Sequence, residues 1–133
     1  MESGKKFRKR NAILEAVRGT TAHPSADMVY ADLQHTHPDI SLATVYRNLA
    51  LFKSQGTIAS VGIVGGVERF DGNTDPHVHF ICNDCHAVID LPGMSVPQEL
   101  CNQAASETNG KVDICHLSFA GVCSACCSAR RNP

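Results

Sequence analysis

Eleven residues, DPHVHFICNDC at 75–85, carry two kinds of metal donor. His77-x-His79 offers two imidazoles, and Cys82-x-x-Cys85 offers two thiolates. A second pair, Cys123-x-x-Cys126, repeats the sulfur spacing. Each pair can turn both sulfurs toward one point, and two such knuckles complete the tetrahedron that zinc prefers. A closed shell of four sulfurs leaves no open position, so it predicts a structural ion and not a catalytic one. Because the motif occurs twice, Zn2+ is favoured over a redox dithiol. Cys127 follows Cys126 directly and does not fit the same tetrahedron. Cys101 in a predicted helix and Cys115 in a predicted strand read as small buried hydrophobes.

The histidines call for other partners. On a strand, His77 and His79 share a face across Val78. They stand too close to the first knuckle to be further zinc ligands there. Asp71 lies just upstream, and Asp90 sits among Val88, Ile89 and Leu91, where an acidic residue needs a reason. The plain alternative is that Asp90 ends a strand before Pro92. Imidazole nitrogen with carboxylate oxygen suits Fe2+ or Mn2+ better than thiolates do. The eleven residues therefore serve two sites, the cysteines one and the histidines another.

The elements that must hold these groups follow from periodicity. Residues 7–19 predict a helix with Ile13, Leu14 and Val17 on one face. HPSADMVYADLQ predicts a second, with Ser25 as N-cap; Met28, Val29, Ala31 and Leu33 supply its apolar surface. ISLATVYRNLALFKSQG predicts a third. Ser41 caps it, Leu42, Val45, Tyr46, Leu49 and Phe52 form its stripe, and Gly56 ends it. TIASVGIV and VERF then predict two strands joined through Gly65-Gly66, a hairpin signal. Three helices and a hairpin make a winged helix. DGNTDP reads as a linker. Beyond it HVHFIC, HAVIDL and KVDICHLSFAGVC predict strands, with a helix over 96–108.

The fold class is therefore α+β. A winged-helix DNA-binding domain (1–71) and a hinge (72–76) precede a small α+β dimerisation and metal-binding domain (77–133) with a four-cysteine zinc site. Charge supports the division. Residues 1–57 hold eight Lys/Arg and five Asp/Glu, whereas residues 58–133 hold four and eight. A lobe as small as the second has a core worth only ~3–5 kcal/mol, and structural zinc adds an apparent ~10–16 kcal/mol. No apolar run is long enough to span a bilayer. The basic start MESGKKFRKR is followed by Glu15 and Arg18 instead of an apolar stretch, so a cytoplasmic location is expected.

Taken in order, HPSADMVY, TVYRNL, RFD, HVH and the two CxxC pairs resemble the ferric uptake regulator (Fur) family, from about residue 8 to 127. The peroxide-sensing PerR branch matches best. The resemblance implies a homodimeric bacterial repressor, not an enzyme, that binds a double-stranded DNA operator. It implies a regulatory Fe2+ or Mn2+ held by His23, Asp71, His77, His79 and Asp90. The iron-sensing branch usually has Glu at the places of Asp71 and Asp90. His23 is a ligand by this resemblance alone; by itself it reads as a surface residue at a helix start. Metal would then clamp the two lobes in a DNA-competent arrangement. Hydrogen peroxide is the implied signal, with iron-dependent oxidation falling on His23 and His77. A further site common in the family falls on Pro76, Val78 and Cys115, and is expected to be absent. Two departures stand out: the N-terminus is short, so the usual leading helix is expected to be missing or reduced, and Arg47 takes the place of the Asn of the best-known peroxide sensors.

For DNA, the third helix is expected in the major groove, with Ala43, Thr44, Arg47 and Asn48 outward and Tyr46 on the border. Ser41, Thr44, Tyr46 and Arg47 are the candidate contacts there, and Arg47 suits a guanine edge. Lys5, Lys6, Arg8, Lys9 and above all Arg10 are candidates for phosphates, against the alternative of a frayed tail. The rival functions are an iron or other metal uptake regulator on the same fold, a small non-haem iron enzyme using two histidines and a carboxylate, and a zinc-held interaction module.

Overall fold

A computed structural model describes residues 4–131. The chain divides into two compact units, Met1–Thr74 and Asp75–Pro133.

The first unit runs α1 (Gly4–Arg18), α2 (Ala26–Leu33), α3 (Leu42–Ser54), β1 (Ala59–Val64) and β2 (Val67–Asp71). Apolar residues spaced by three and four turn one face of each helix inward: Ile13 and Val17, Val29 and Leu33, then Val45, Leu49 and Phe52. Ile40, Ile58 and Phe70 close this core. Ser25 and Ser41 cap α2 and α3 by accepting the amides of Met28 and Thr44. At the other end of α3, Gly56 takes φ +74°, and Thr57 donates to the carbonyl of Phe52. That pairing satisfies a carbonyl that the helix end would otherwise expose. Gly65 and Gly66 have φ of +60° and +88°, the left-handed pair that a two-residue hairpin turn requires. Met28 and Ala31, expected to supply apolar surface, are exposed instead, because α2 buries only the Ala26–Val29–Leu33 edge. α1 begins at Gly4 and so takes in the whole basic run, earlier than the expected start at residue 7.

The second unit runs β3 (His79–Cys82), β4 (Val88–Asp90), α4 (Gln98–Thr108), β5 (Ser118–Gly121) and α5 (Ser124–Arg131). Its sheet has the order β4-β3-β5, with β3 antiparallel to β4 and parallel to β5, so α4 lies in the crossover between β4 and β5. Register divides the sheet into two faces. His79 stands opposite Asp90 and Ser118; one residue on, Phe80 stands opposite Ile89 and Phe119 on the other face.

Three expectations change here. His77 and Val78 precede β3 and do not belong to it. Residues 111–117 are irregular, so Cys115 is not on a strand; β3 offers pairing for only four residues, His79 to Cys82. Cys101 and Cys115 are half-buried, not buried, because this unit has little interior. Helix α5 has no counterpart among the elements expected from periodicity.

Candidate metal centres

The turn after β3 builds the first sulfur knuckle. Cys82 donates its amide to the carbonyl of Ala87, His86 donates to the carbonyl of Cys82, and His86 takes φ +62° to make the bend. The second knuckle follows β5, where Cys123 precedes α5 and Cys126 lies in its first turn. Asn83 donates to Gly121, 2.7 Å away, which ties one knuckle to the other. Asp84 accepts both Nε and Nη2 of Arg130, at 2.8 and 2.7 Å, and so holds α5 to the first knuckle.

The result is a cluster. Ligand atoms of Cys82, Cys85, Cys123 and Cys126 all lie within 4.8 Å of one another. Four sulfurs each ~2.3 Å from a tetrahedral zinc stand ~3.8 Å apart, and Cys85 Sγ is 3.8 Å from Cys123 Sγ. The acid–base chemistry also fits a cation. Backbone N–H groups of Cys85 and Cys123 point at Cys82 Sγ and lower its pKa to about 6. Against the sulfurs of Cys123 and Cys85, Cys126 is pushed up to about 12. Four thiolates this close repel, and a divalent ion at their centre removes the conflict. Cys127 is turned elsewhere, with its thiol donating to the carbonyl of Val122.

The nitrogen and oxygen donors fall into two groups, one in each unit. In the first unit, His23 is 1% exposed, and its Nδ1 is 3.4 Å from Oδ2 of the buried Asp71. Asp71 ends β2, and its Oδ1 accepts the amide of Asn73. His23 takes φ +51°, a conformation that costs a non-glycine residue about 1–3 kcal/mol. Arg69 holds it there: buried on β2, it donates through Nε to the carbonyl of His23 and through Nη2 to that of Ala22. The amide of Phe70 donates to Pro24. The HPS segment is thus stapled to the strand that carries Asp71. Sequence reasoning missed Arg69. The usable signal was its place two residues before Asp71, on the same face of a strand.

In the second unit, His77 Nε2 and His79 Nε2 are each 3.2 Å from Asp90 Oδ1. The two rings stand 4.2 Å apart. His77 Nδ1 lies 2.7 Å from the carbonyl of Asp75. A carbonyl only accepts, so Nδ1 carries a proton, and in the neutral tautomer Nε2 would present its lone pair toward the carboxylate. Lone pair facing carboxylate is a poor contact unless a proton or a metal ion lies between them. The backbone acceptor that fixes the tautomer is the usual outer partner of a metal-binding histidine. Both donor groups therefore suit a hard divalent cation. At the positions of the further family site that was expected to be absent, Pro76 is exposed and Val78 wholly buried.

On α3, Ala43, Tyr46 and Arg47 are exposed, with Thr44 and Asn48 partly so; Leu42, expected inward, is half-buried. Ser41 and Thr44 hydroxyls are 2.9 Å apart, and Arg47 reaches Thr44 Oγ1 at 3.4 Å. Tyr46 donates its hydroxyl to Asp27. Arg10, from α1, donates to Asn48 Oδ1 at 3.4 Å. Lys5 and Lys9 both pair with Asp39. The basic run is thus a helix whose charges are partly engaged.

Comparison with known proteins agrees with these features. The sequence model of the ferric uptake regulator family matches residues 2–120. The peroxide operon regulator of Bacillus subtilis (strain 168) is 38% identical over 120 residues, 89% of this chain and 81% of that protein. The peroxide-responsive repressor PerR of Staphylococcus aureus (strain USA300) is 35% identical over 120 residues, 89% of this chain and 79% of that protein. Among solved structures, the Campylobacter jejuni peroxide stress regulator superposes with a TM-score of 0.76 at 24% identity, covering 92% of this chain and 91% of that one, a likeness of fold.

Proposed function

The chain belongs to the ferric uptake regulator family, and from that premise we propose that it is a metal-dependent, peroxide-responsive transcriptional repressor. His23 and Asp71 of the first unit join His77, His79 and Asp90 of the second around one Fe2+ or Mn2+. The observation that carries this is the division of donors. Each unit presents a pre-oriented imidazole–carboxylate set, apart from the sulfur cluster, so one hard cation has a reason to hold both. A coupling of ~1–3 kcal/mol between metal and DNA is enough to change operator occupancy several-fold or more.

Each residue has a task. Asp71 and Asp90 supply the charge that a divalent ion needs, and Arg69 holds the backbone that aims His23. Held by these residues, Fe2+ would supply the reducing chemistry that cleaves hydrogen peroxide beside the imidazoles, whereas Mn2+ would occupy the same residues without it. His23 and His77 take up the oxygen, lose donor strength and release the clamp. This is stoichiometric and consumes the protein. In α3, Thr44 and Arg47 meet base edges, with Ser41 and Tyr46 at the phosphate border and Arg10 on the backbone. Homodimerisation uses the sheet face opposite His79 and Asp90, where Ile89 and Phe119 flank Phe80 and remain 41% and 43% exposed. No described helix is long and apolar enough to cross a membrane.

The test loads the protein with Fe2+ or Mn2+ and adds hydrogen peroxide. Added oxygen is mapped by peptide mass spectrometry while retention of a duplex selected from a random pool is followed. Oxygen on His23 and His77 only with iron, together with DNA release, is the expected result. Intact histidines with DNA still bound would leave a metal uptake regulator without peroxide sensing. DNA binding indifferent to both ions would leave a zinc-held interaction module.

A further inference from the structure

Tyr46, a candidate DNA contact on α3, is held in place from another helix. It is 51% exposed, and an exposed side chain passes readily between rotamers. It also has room to move. A cleft of about 290 Å³ opens between α3 and the β1–β2 hairpin, with Tyr46, Ala50, Lys53, Gly66 and Val67 on its walls. The tie that fixes the ring comes from α2: the Tyr46 hydroxyl donates to Asp27 Oδ2 at 3.1 Å, nineteen residues earlier. That hydrogen bond and the carboxylate charge raise the hydroxyl above its ordinary value of 10, so its hydrogen stays where it is. Asp27 is exposed in the first turn of α2. An acid there favours the helix dipole, and a carboxylate turned to solvent would serve that purpose alone. This one reaches across to α3 instead. It also stands beside a surface that is to meet phosphates, where a negative charge weakens binding.

We propose that Asp27 is a positioning residue of the DNA interface, which fixes the Tyr46 ring by accepting its hydroxyl and thereby sharpens the choice of sequence. The proposal rests on the reading that α3 enters the groove. With its hydrogen committed to Asp27, the hydroxyl has none to give a phosphate oxygen, and the ring is what the duplex meets. A ring held in one place fits one shape of duplex and clashes with others, whereas a ring free to turn into the cleft tolerates many. Discrimination built on refusal in this way is gained at the expense of attraction. Asp27 does both: its charge lowers affinity for any duplex, and its hydrogen bond preserves the difference between one duplex and another. The two effects belong to different properties of the same carboxylate and can be separated. Asparagine keeps an oxygen that accepts from Tyr46 and loses the charge; alanine loses both.

The experiment uses full-length protein carrying zinc and Mn2+ at one fixed salt concentration. Fluorescence anisotropy measures affinity for a duplex selected from a random pool and for a duplex of random sequence, and the ratio is the readout. Asp27→Ala and Asp27→Asn should both bind the random duplex more tightly. Only Asp27→Ala should lose selectivity, its ratio falling about fivefold, the low end of what one mismatched base pair costs. Tyr46→Phe, which keeps the ring and removes the hydroxyl, should lose a similar factor. The double variant Asp27→Ala/Tyr46→Phe should lose no more than either alone, since both remove one hydrogen bond. Circular dichroism and zinc content confirm folding, and Tyr46→Phe tests the bond without touching α2. An unchanged ratio in Asp27→Ala would leave Asp27 as a helix-start acid and overturn the proposal. Equal loss in Asp27→Asn would overturn it too, because the charge and not the hydrogen bond would then set the selectivity. Arg47→Ala separates this failure from that of the reading beneath it. If Arg47→Ala binds both duplexes like wild type, the placement of α3 fails and takes the proposal with it. If Arg47→Ala loses binding while Asp27→Ala keeps the wild-type ratio, the proposal fails alone.

Discussion

The two units solve the problem of staying folded in different ways. Among the described residues, twelve of the fifteen buried apolar side chains lie in the first unit. The second has Val78, Cys82 and Val88, and one of those is a candidate metal ligand. The first unit is ordered by hydrophobic burial that runs through all three helices. The second gathers four sulfurs in place of a larger core and leaves Ile89, Met94, Leu100, Ile114 and Phe119 exposed. Burial is non-directional and tolerates repacking, whereas a metal shell is all or nothing. The two units should therefore fail independently and for different causes.

The largest effect should come from the sulfur cluster. Cys123→Ser removes one candidate ligand while keeping the backbone amide that donates to Cys82 Sγ. We expect zinc to be lost and β3, β4 and β5 to lose hydrogen-exchange protection together, while α1–α3 stay protected. A strong chelator on the wild-type protein should reproduce that pattern. Equal loss in both units would mean that the first depends on the second, and the contrast would break.

Leu49→Ala attacks the other side. Leu49 is 1% exposed at the centre of the α3 stripe, and truncating such a residue costs about 2–5 kcal/mol. Protection should fall in α1–α3, with zinc stoichiometry unchanged. Thermal melts followed with a zinc-release dye separate the two outcomes.

Much of this contrast is legible in the sequence because it rests on local chemistry. Serine caps at 25 and 41, the Gly65-Gly66 turn and the paired CxxC knuckles each act within a few residues. What escapes depends on distant backbone. Arg69 recognises two carbonyls that lie forty-six and forty-seven residues away; strand alternation puts it on the face of Asp71 but does not name those partners. His23 needs a left-handed backbone to turn inward, which its neighbours Ala22 and Pro24 do not announce. Alternation in KVDICHL predicts a longer β5 than forms, because the neighbouring strand pairs over only four residues. Helix α5, SACCSARR, is hidden because its cysteines stand out as ligands before its period can be seen.

Arg69→Met sharpens the comparison within the first unit. It keeps side-chain bulk but leaves the carbonyls of Ala22 and His23 without the guanidinium. A partner that orients a metal ligand is typically worth about 10–100-fold in affinity, so Mn2+ binding should weaken by that factor. Zinc should remain stoichiometric, since Arg69 belongs to the other unit. Isothermal titration with Mn2+ reads the first quantity and metal analysis the second. Unchanged Mn2+ affinity would remove Arg69 from the site and leave it a fold residue.

The smallest effect concerns how the wing is fixed to the reading helix. Glu68 of β2 accepts from Ser60 at 2.6 Å and pairs with Lys53 of α3 at 2.9 Å. The Ser60 hydroxyl first, and Lys53 after it, hold the Glu68 carboxyl below its ordinary value of 4.5. A carboxylate with a depressed folded-state pKa stabilises fully above the unfolded value. That contribution is lost as pH falls through the lowered one. Glu68→Gln should therefore cost the first unit about 0.5–1 kcal/mol near neutrality, in keeping with a partly exposed pair. The wild-type advantage should shrink as pH drops below about 4.5 and vanish in stronger acid. Urea titrations of both proteins from neutral pH to acid, followed by helix signal, measure that convergence. Parallel curves would mean that the wing is held by Val64 and Phe70 in the apolar interior, with Glu68 adding nothing to it.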